Sequence, residues 1–331
     1  PQGGGAALWD AGRPGSVSIA GADCPVLQLA FASTSEAAWR ASPRGLNPRD
    51  LAMHVVLPEV DGRIFAGAVA FKEGVAGGPV ESRSVPDRVD AVADLAAAGV
   101  RLRRPPPVER RVGIVFANYP NRDGRLANGV GLDTPESCAV LLEALRSEGY
   151  RLDRAPESAA ALMALLTDGP TNDLGRRKSG RIGRGAGVRW PLDAYREAYA
   201  TLPAETRAAV EARWGAPEDD PHVEAGAFRL GIHRFGHVAI GIQPARGYNI
   251  DPKDTYHAPD LAPPHHYLAF YLWLRTGFDA HAVVHLGKHG NLEWLPGKAA
   301  GLSAACFPQA VLGSLPNVYP FIVNDPGEGV Q

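Results

Sequence analysis

The chain has 331 residues, 45% hydrophobic and 21% charged, and its 34 Lys and Arg nearly balance 36 Asp and Glu for a net charge of -2. This composition excludes a disordered or fibrous chain, and without a global basic field nucleic acid is not an expected partner. Cys24, Cys138 and Cys306 are far apart and form no CxxC, so neither a disulfide framework nor a cysteine zinc knuckle is expected. No apolar run approaches the ~18 residues of a membrane span, and the first residues lack a basic segment followed by an apolar one. The expectation is a cytoplasmic α/β protein with mixed or parallel sheets flanked by helices, built as two Rossmann-like units around a cleft.

The chain order supports that class. Val26 to Ala32 reads as a buried strand, and Ser33-Thr34-Ser35 would cap a short helix through Trp39. Met53 to Leu57 is predicted as a strand ended by Pro58, which would put Glu59 and Asp61 at a strand end, and Ile64 to Phe71 is extended again. Pro86 to Val100 has Val89, Val92, Ala93 and Ala96 at helical spacing and Gly99 at its expected end. Arg103 to Pro107 cannot continue a helix and divides a first unit, 1–104, from a second, 105–331.

Val112, Ile114, Val115 and Phe116 form a near-continuous apolar run of the kind buried in a parallel sheet. A polar loop, 118–133, and a helix opening at Thr134-Pro135-Glu136 follow. Ala159 to Leu166 and Leu192 to Trp214 are helical in pattern. Between them, 171–189 is rich in Gly and Arg and reads as a flexible or partner-docking segment. Phe228 to Ile232 and His237 to Gln243 alternate around Gly236 like a hairpin, which makes His233 and His237 turn residues. Pro263 to Thr276 is an apolar helix with His265 and His266 at its start, and Ala282 to Leu286 is another buried strand.

The densest chemistry lies in 281–298. Strand alternation puts His281 and His285 on one face. If a helix begins near Asn291, His289 at its threshold and Glu293 one turn in point to the same mouth. Imidazole and carboxylate ligate cobalt, nickel, zinc or iron(II), and they also move protons. For any single histidine, packing or capping is an equal reading. The stretch is not the HExxH of a zinc protease, because Leu286 follows His285 and no Glu directly follows either His. Nor is there a phosphate-cradling G-x-x-x-x-G-K-[ST], since Ala299 follows Gly297-Lys298.

HLGKHGNLEWLPGK (285–298), with AAGLSAACFP and LPNVYPFIVNDPGEG after it, resembles the signature of the large subunit of cobaltochelatase, the CobN type, and of its relative the magnesium chelatase H subunit. RGLNPRDLAMHVVLPEVDGRI (44–64), NYPNRDGRLANGVGLDTPES (118–137) and QPARGYNIDPKDTYHAPDLAPPHHYLAFYLWL (243–274) match too. The likeness covers nearly everything after residue 44. Glu293-Trp294-Leu295-Pro296 favours the cobalt branch, where the magnesium branch resembles Glu-Phe-Met-Pro.

The family's subunit is several times longer, which implies a fragment. The resemblance further implies insertion of Co2+ into a corrinoid tetrapyrrole, hydrogenobyrinic acid a,c-diamide, in cobalamin biosynthesis. Two AAA+-type partner subunits would consume ATP and Mg2+, neither of them bound by this chain. In that frame His285, His289 and Glu293 are metal candidates, and Glu59, His289 and Glu293 are candidate bases. Trp294, Tyr248 and Tyr256 would wall the ring, and Arg44, Arg125, Arg246 and Lys288 would meet its carboxylates. The alternatives are a magnesium chelatase H-type subunit acting on protoporphyrin, a zinc-type metallohydrolase on His285, His289 and Glu293, and a non-catalytic tetrapyrrole- or metal-binding module.

Overall fold

The computed structural model describes residues 24–74, 78–118, 128–129, 132–174, 187–248, 258–287 and 291–320. Arg125, Tyr256, Lys288 and His289 lie outside the described residues, as does 175–186 of the Gly- and Arg-rich stretch 171–189. The chain divides into two compact units, Pro1–Val100 with Gly297–Gln309, and Arg101–Pro296 with Ala310–Gln331. By its contacts the stretch Gly297–Gln309 thus belongs with the first unit.

In the first unit strand β1 (Leu27–Phe31) runs into helix α1 (Glu36–Ala41), whose N-cap Ser35 accepts the Ala38 N–H. Helices α2 (Pro48–Leu51) and α3 (Leu57–Val60) precede strands β2 (Ile64–Gly74) and β3 (Val80–Ser84), and helix α4 (Pro86–Arg103) follows. The sheet order is β1-β2-β3, parallel then antiparallel. Trp39 stacks at 4.6 Å on Phe71 in its core, and the indole N–H donates to the Gly301 carbonyl at 2.8 Å. Helix α4 passes through Gly99, the position predicted to end it.

Met53 to Leu57 is helical, which corrects the expected strand. Asn47 caps α2 by accepting the Asp50 N–H at 2.8 Å, Pro48 opens it, and a π-turn over Ala52–Val56 carries the helix on into α3. The β-branched pair Val55-Val56 favours a strand only weakly, and the Asn-Pro start signal overrides it. Pro58 lacks the N–H an α-turn needs there, and it sits just after the bulge.

The second unit is built on β4 (Val112–Phe116). The short hairpin β5 (Asn128–Gly129) and β6 (Leu132–Asp133) leads to helices α5 (Thr134–Ser147) and α6 (Ala159–Asp168). Asp133 caps α5, its carboxylate accepting the Glu136 N–H at 3.1 Å. The predicted helix 192–214 is two, α7 (Leu192–Ala200) and α8 (Ala204–Trp214), parted at Pro203. The expected strand Phe228 to Ile232 divides at Gly231. Its first half, β9 (Ala227–Leu230), pairs with β7 (Val188–Pro191) and β8 (Val223–Glu224), whereas β10 (Ile232–Phe235) forms a hairpin with β11 (Val238–Ile242). Helix α9 (His265–Leu272) continues as a π-turn, Trp273–Gly277, into β12 (Ala282–Leu286); α10 (Phe307–Leu312) and β13 (Asn317–Val318) complete the order.

The main sheet, β10-β11-β4-β12-β13, is parallel except for its edge strand β10. One face packs Val112, Ile114, Phe116, Ile240 and Leu286 against Leu142 of α5 and Leu162 and Leu166 of α6. On the other face Gly113 and Gly241 leave room for Leu274 and Phe270. Burial on both faces is why these strands read as continuous apolar runs. No helix among the described residues is long and apolar enough to cross a membrane.

Candidate functional site

In the second unit β4, β11 and β12 end together at Phe116, Ile242 and Leu286, in register. Open α/β sheets bind ligands just beyond such carboxyl ends. A polar network fills that position here. Gln243, the first residue after β11, donates its main-chain N–H to the Phe116 carbonyl at 2.9 Å and its side-chain amide to the Tyr271 hydroxyl at 2.8 Å. Its Oε1 accepts the Asn291 N–H at 3.1 Å. Asn291 in turn accepts from the Tyr267 hydroxyl at 2.7 Å and donates to the Pro244 carbonyl at 3.2 Å. Tyr267 and Tyr271 stand one turn apart on α9, so both hydroxyls reach the same edge.

His285 joins this network from β12, with Tyr271 2.9 Å from Nε2 and Asn317 Oδ1 2.7 Å from Nδ1. The pattern is that of a neutral ring, Nδ1–H donating to Asn317 and Nε2 accepting from Tyr271. Burial lowers its pKa to about 4. With both nitrogens engaged, His285 has no lone pair turned to a metal ion. Beyond β12, Gly287 has φ +152, and a Cβ there would come within 2.3 Å of the Ala117 Cβ, so this backbone approach requires glycine.

Glu293 is exposed, and its charge acts on Arg246, Tyr267 and Tyr271. Arg246 is 2% exposed and donates to the Ala258 carbonyl at 2.9 Å; burial lowers its pKa, which Glu293 partly restores. The structure therefore brings His285, Arg246 and Glu293 to one polar edge. Trp294, 42% exposed, follows in the same turn. That segment is a turn closed by the Leu295 N–H on the Leu292 carbonyl, not the helix expected from Asn291.

Other expectations separate. His281 lies at the opposite, amino end of β12, where its Nδ1 accepts the Arg111 N–H at 2.8 Å, so it does not share a space with His285. Tyr248 turns into a buried cluster in which Asp220 accepts from its hydroxyl and from the N–H groups of His222 and His266. Burial raises the Asp220 pKa, and burial beside that carboxylate raises the Tyr248 phenol. His265 is bonded to the Tyr195 hydroxyl at 2.7 Å and the Gly215 carbonyl at 3.0 Å, as a packing residue would be.

Arg44 and Glu59 belong to the first unit and are exposed. Glu59 is in the last turn of α3, ahead of β2, not at the carboxyl end of a strand. The turn after it is closed by main-chain bonds, Asp61 N–H to Pro58 and Gly62 N–H to Glu59, and its carboxylate takes no part. Among the described residues no three His, Cys, Asp or Glu are placed to hold a metal ion. Sequence reasoning missed Gln243, Tyr267, Tyr271, Asn291 and Asn317. The one available signal was the Tyr pair at i, i+4, which an apolar helix disguises as core.

The chain is thus a mixed α/β protein with a polar network at the carboxyl edge of a largely parallel sheet. The family model CobN/Magnesium Chelatase matches residues 5–331, and the chain belongs to that family. The match extends upstream of residue 44, where the motif likeness began. The chain is 53% identical to the aerobic cobaltochelatase subunit CobN of Sinorhizobium sp and 50% to that of Pseudomonas aeruginosa, each over 93% of its length. It superposes on the catalytic subunit of cobaltochelatase from Mycobacterium tuberculosis with a TM-score of 0.83 at 41% identity, covering 97% of this chain and 27% of that one. It spans about a quarter of the length of the curated relatives, 24% and 25%.

Proposed function

We propose that this chain forms part of the tetrapyrrole-binding, metal-inserting large subunit of a cytoplasmic cobaltochelatase. The substrates would be Co2+ and hydrogenobyrinic acid a,c-diamide, and two AAA+-type subunits would hydrolyse ATP with Mg2+. The observation that carries the reading is the identity of 53% and 50% to cobaltochelatase subunits across 93% of the chain, supported by Glu293-Trp294-Leu295-Pro296.

Metallation of a macrocycle needs an ion stripped of water, a base for the ring N–H protons and cationic groups for peripheral carboxylates. In this proposal Glu293 and His289 hold the ion or take the protons, and Glu59 is a second base. Arg246, Arg44, Arg125 and Lys288 meet carboxylates, while Trp294 and Tyr256 wall the ring, and Tyr248, bonded to Asp220 in its own cluster, is left out of that wall. His285 is better read as a positioning residue, because giving Nε2 to a metal would strand the Tyr271 hydroxyl. The same bonding disfavours a zinc metallohydrolase built on His285. A magnesium chelatase H-type role on protoporphyrin remains the second reading, because the family includes both branches.

Titration of the chain with metal-free corrin and with protoporphyrin tests the proposal, with tighter corrin binding expected. Calorimetry with ATP should give no binding heat, because the sequence has no phosphate loop; micromolar ATP binding would contradict the division of labour.

A further inference from the structure

The second unit has a charged groove at the amino edge of its sheet, opposite the polar network. It has a volume of about 980 Å3 and is lined by Arg151, Leu152, Asp153, Arg154, Arg234 and the turn Phe235–His237. The floor is fixed by the main chain. Gly236 has φ +66, and a Cβ there would lie 2.9 Å from the Arg151 carbonyl, so only glycine lets the β10–β11 turn approach. The His237 N–H donates to that carbonyl at 3.0 Å, and the Val112 N–H to His237 at 2.9 Å. Arg154 is held at φ +55, a conformation that costs a non-glycine residue energy, and it forms no ion pair among the described residues. Arg234 is exposed and rests over the Phe278 ring at 5.5 Å. The groove's one acid, Asp153, is paired with Arg151. Asp279, next in the chain to the Phe278 that Arg234 covers, is shared by Arg101 and Arg111, two cations to one acid.

We propose that this groove docks a carboxylate-rich segment of a partner protein subunit, an inference that rests on reading the chain as one subunit of a larger enzyme. The observations select the occupant. The guanidinium groups of Arg151, Arg154 and Arg234 line an open groove, which suits several separate carboxylates better than one compact anion. The groove's aromatic residue, Phe235, is buried, so there is no platform on which nucleic-acid bases could stack. A basic groove also stands out in a chain whose net charge is -2.

The test is fluorescence anisotropy of a labelled oligoglutamate peptide added to the whole chain at rising salt. The expected result is saturable binding that weakens with salt and falls about tenfold in Arg154→Glu/Arg234→Glu, while Arg196→Glu/Arg213→Glu, with the same charge change at exposed positions that do not line the groove, binds as the parent does. Unchanged melting temperatures would exclude misfolding as the cause. Equal losses in both variants, no binding by the parent, or full displacement by stoichiometric pyrophosphate would overturn the proposal. So would self-association of the chain abolished by the groove variant, which would make a second copy the occupant. Because no tetrapyrrole enters the assay, a negative result leaves the corrin titration standing, and a failed corrin titration leaves this one readable.

Discussion

The imidazole of His285 donates to Asn317 and accepts from Tyr271, and burial holds its pKa at about 4. The folded value is below the unfolded one, ~6.5, so between them the unfolded chain binds more protons and stability falls as pH drops from about 6.5 to 4. The loss from this residue is on the order of 3 kcal/mol. His233, His265 and His281, also lowered by burial, act in the same direction, and Asp220, raised by burial, acts against them. His285→Gln, which keeps a donor and an acceptor but does not titrate, should flatten that slope in urea melts at pH 4.5 and 7; an unaltered slope would place the titration elsewhere.

Tyr271→Phe should cost about 1–3 kcal/mol, because Gln243 and His285 each lose a buried partner. Glu59→Gln should leave the melting temperature unchanged, since its exposed carboxylate holds no turn, and lower metallation in the assembled enzyme by about 10²-fold if it is a base. The sequence drew attention to His285 through its neighbours in the motif. It could not show that Asn317 and Tyr271, distant in the chain, would occupy both ring nitrogens.

At the scale of elements, β4 and β12 were legible because burial on both faces leaves an unbroken apolar run, and β11 was legible as one arm of the hairpin around Gly236. Met53 to Leu57 was not, because its identity is set by contacts on either side. Asp50, 3% exposed, accepts from the Ser33 N–H at 2.8 Å, the Ser33 hydroxyl at 3.0 Å and the Asn47 amide at 3.1 Å, tying the end of β1 to the start of α2. Asp50→Ala should therefore cost about 1–3 kcal/mol and speed hydrogen exchange at the Ser33 amide. An unprotected Ser33 amide in the parent would refute that tie. The segment from Asn291 was expected to be a short helix that would turn Glu293 toward His289. Its shape is set instead by Gln243 and Tyr267, which hold Asn291 from other elements.

For the whole molecule, the family was legible from six ordered stretches, composition pointed to an α/β protein, and the break at 103–107 to two units. Which cation and which macrocycle are used is a finer matter, because nitrogen and oxygen ligands discriminate weakly among divalent ions. Under the proposed function, selectivity for the macrocycle lies in the groups that meet it, and a corrin with several carboxylates would suit Arg246 better than protoporphyrin would. The most direct measurement is a fluorescence-quenching titration of the chain with metal-free hydrogenobyrinic acid a,c-diamide and, in parallel, with protoporphyrin. The corrin should bind at least about tenfold more tightly, and Arg246→Met should erase most of that preference, the usual worth of a charge-assisted contact. Equal or tighter binding of protoporphyrin, or no binding of either, would contradict the cobaltochelatase reading.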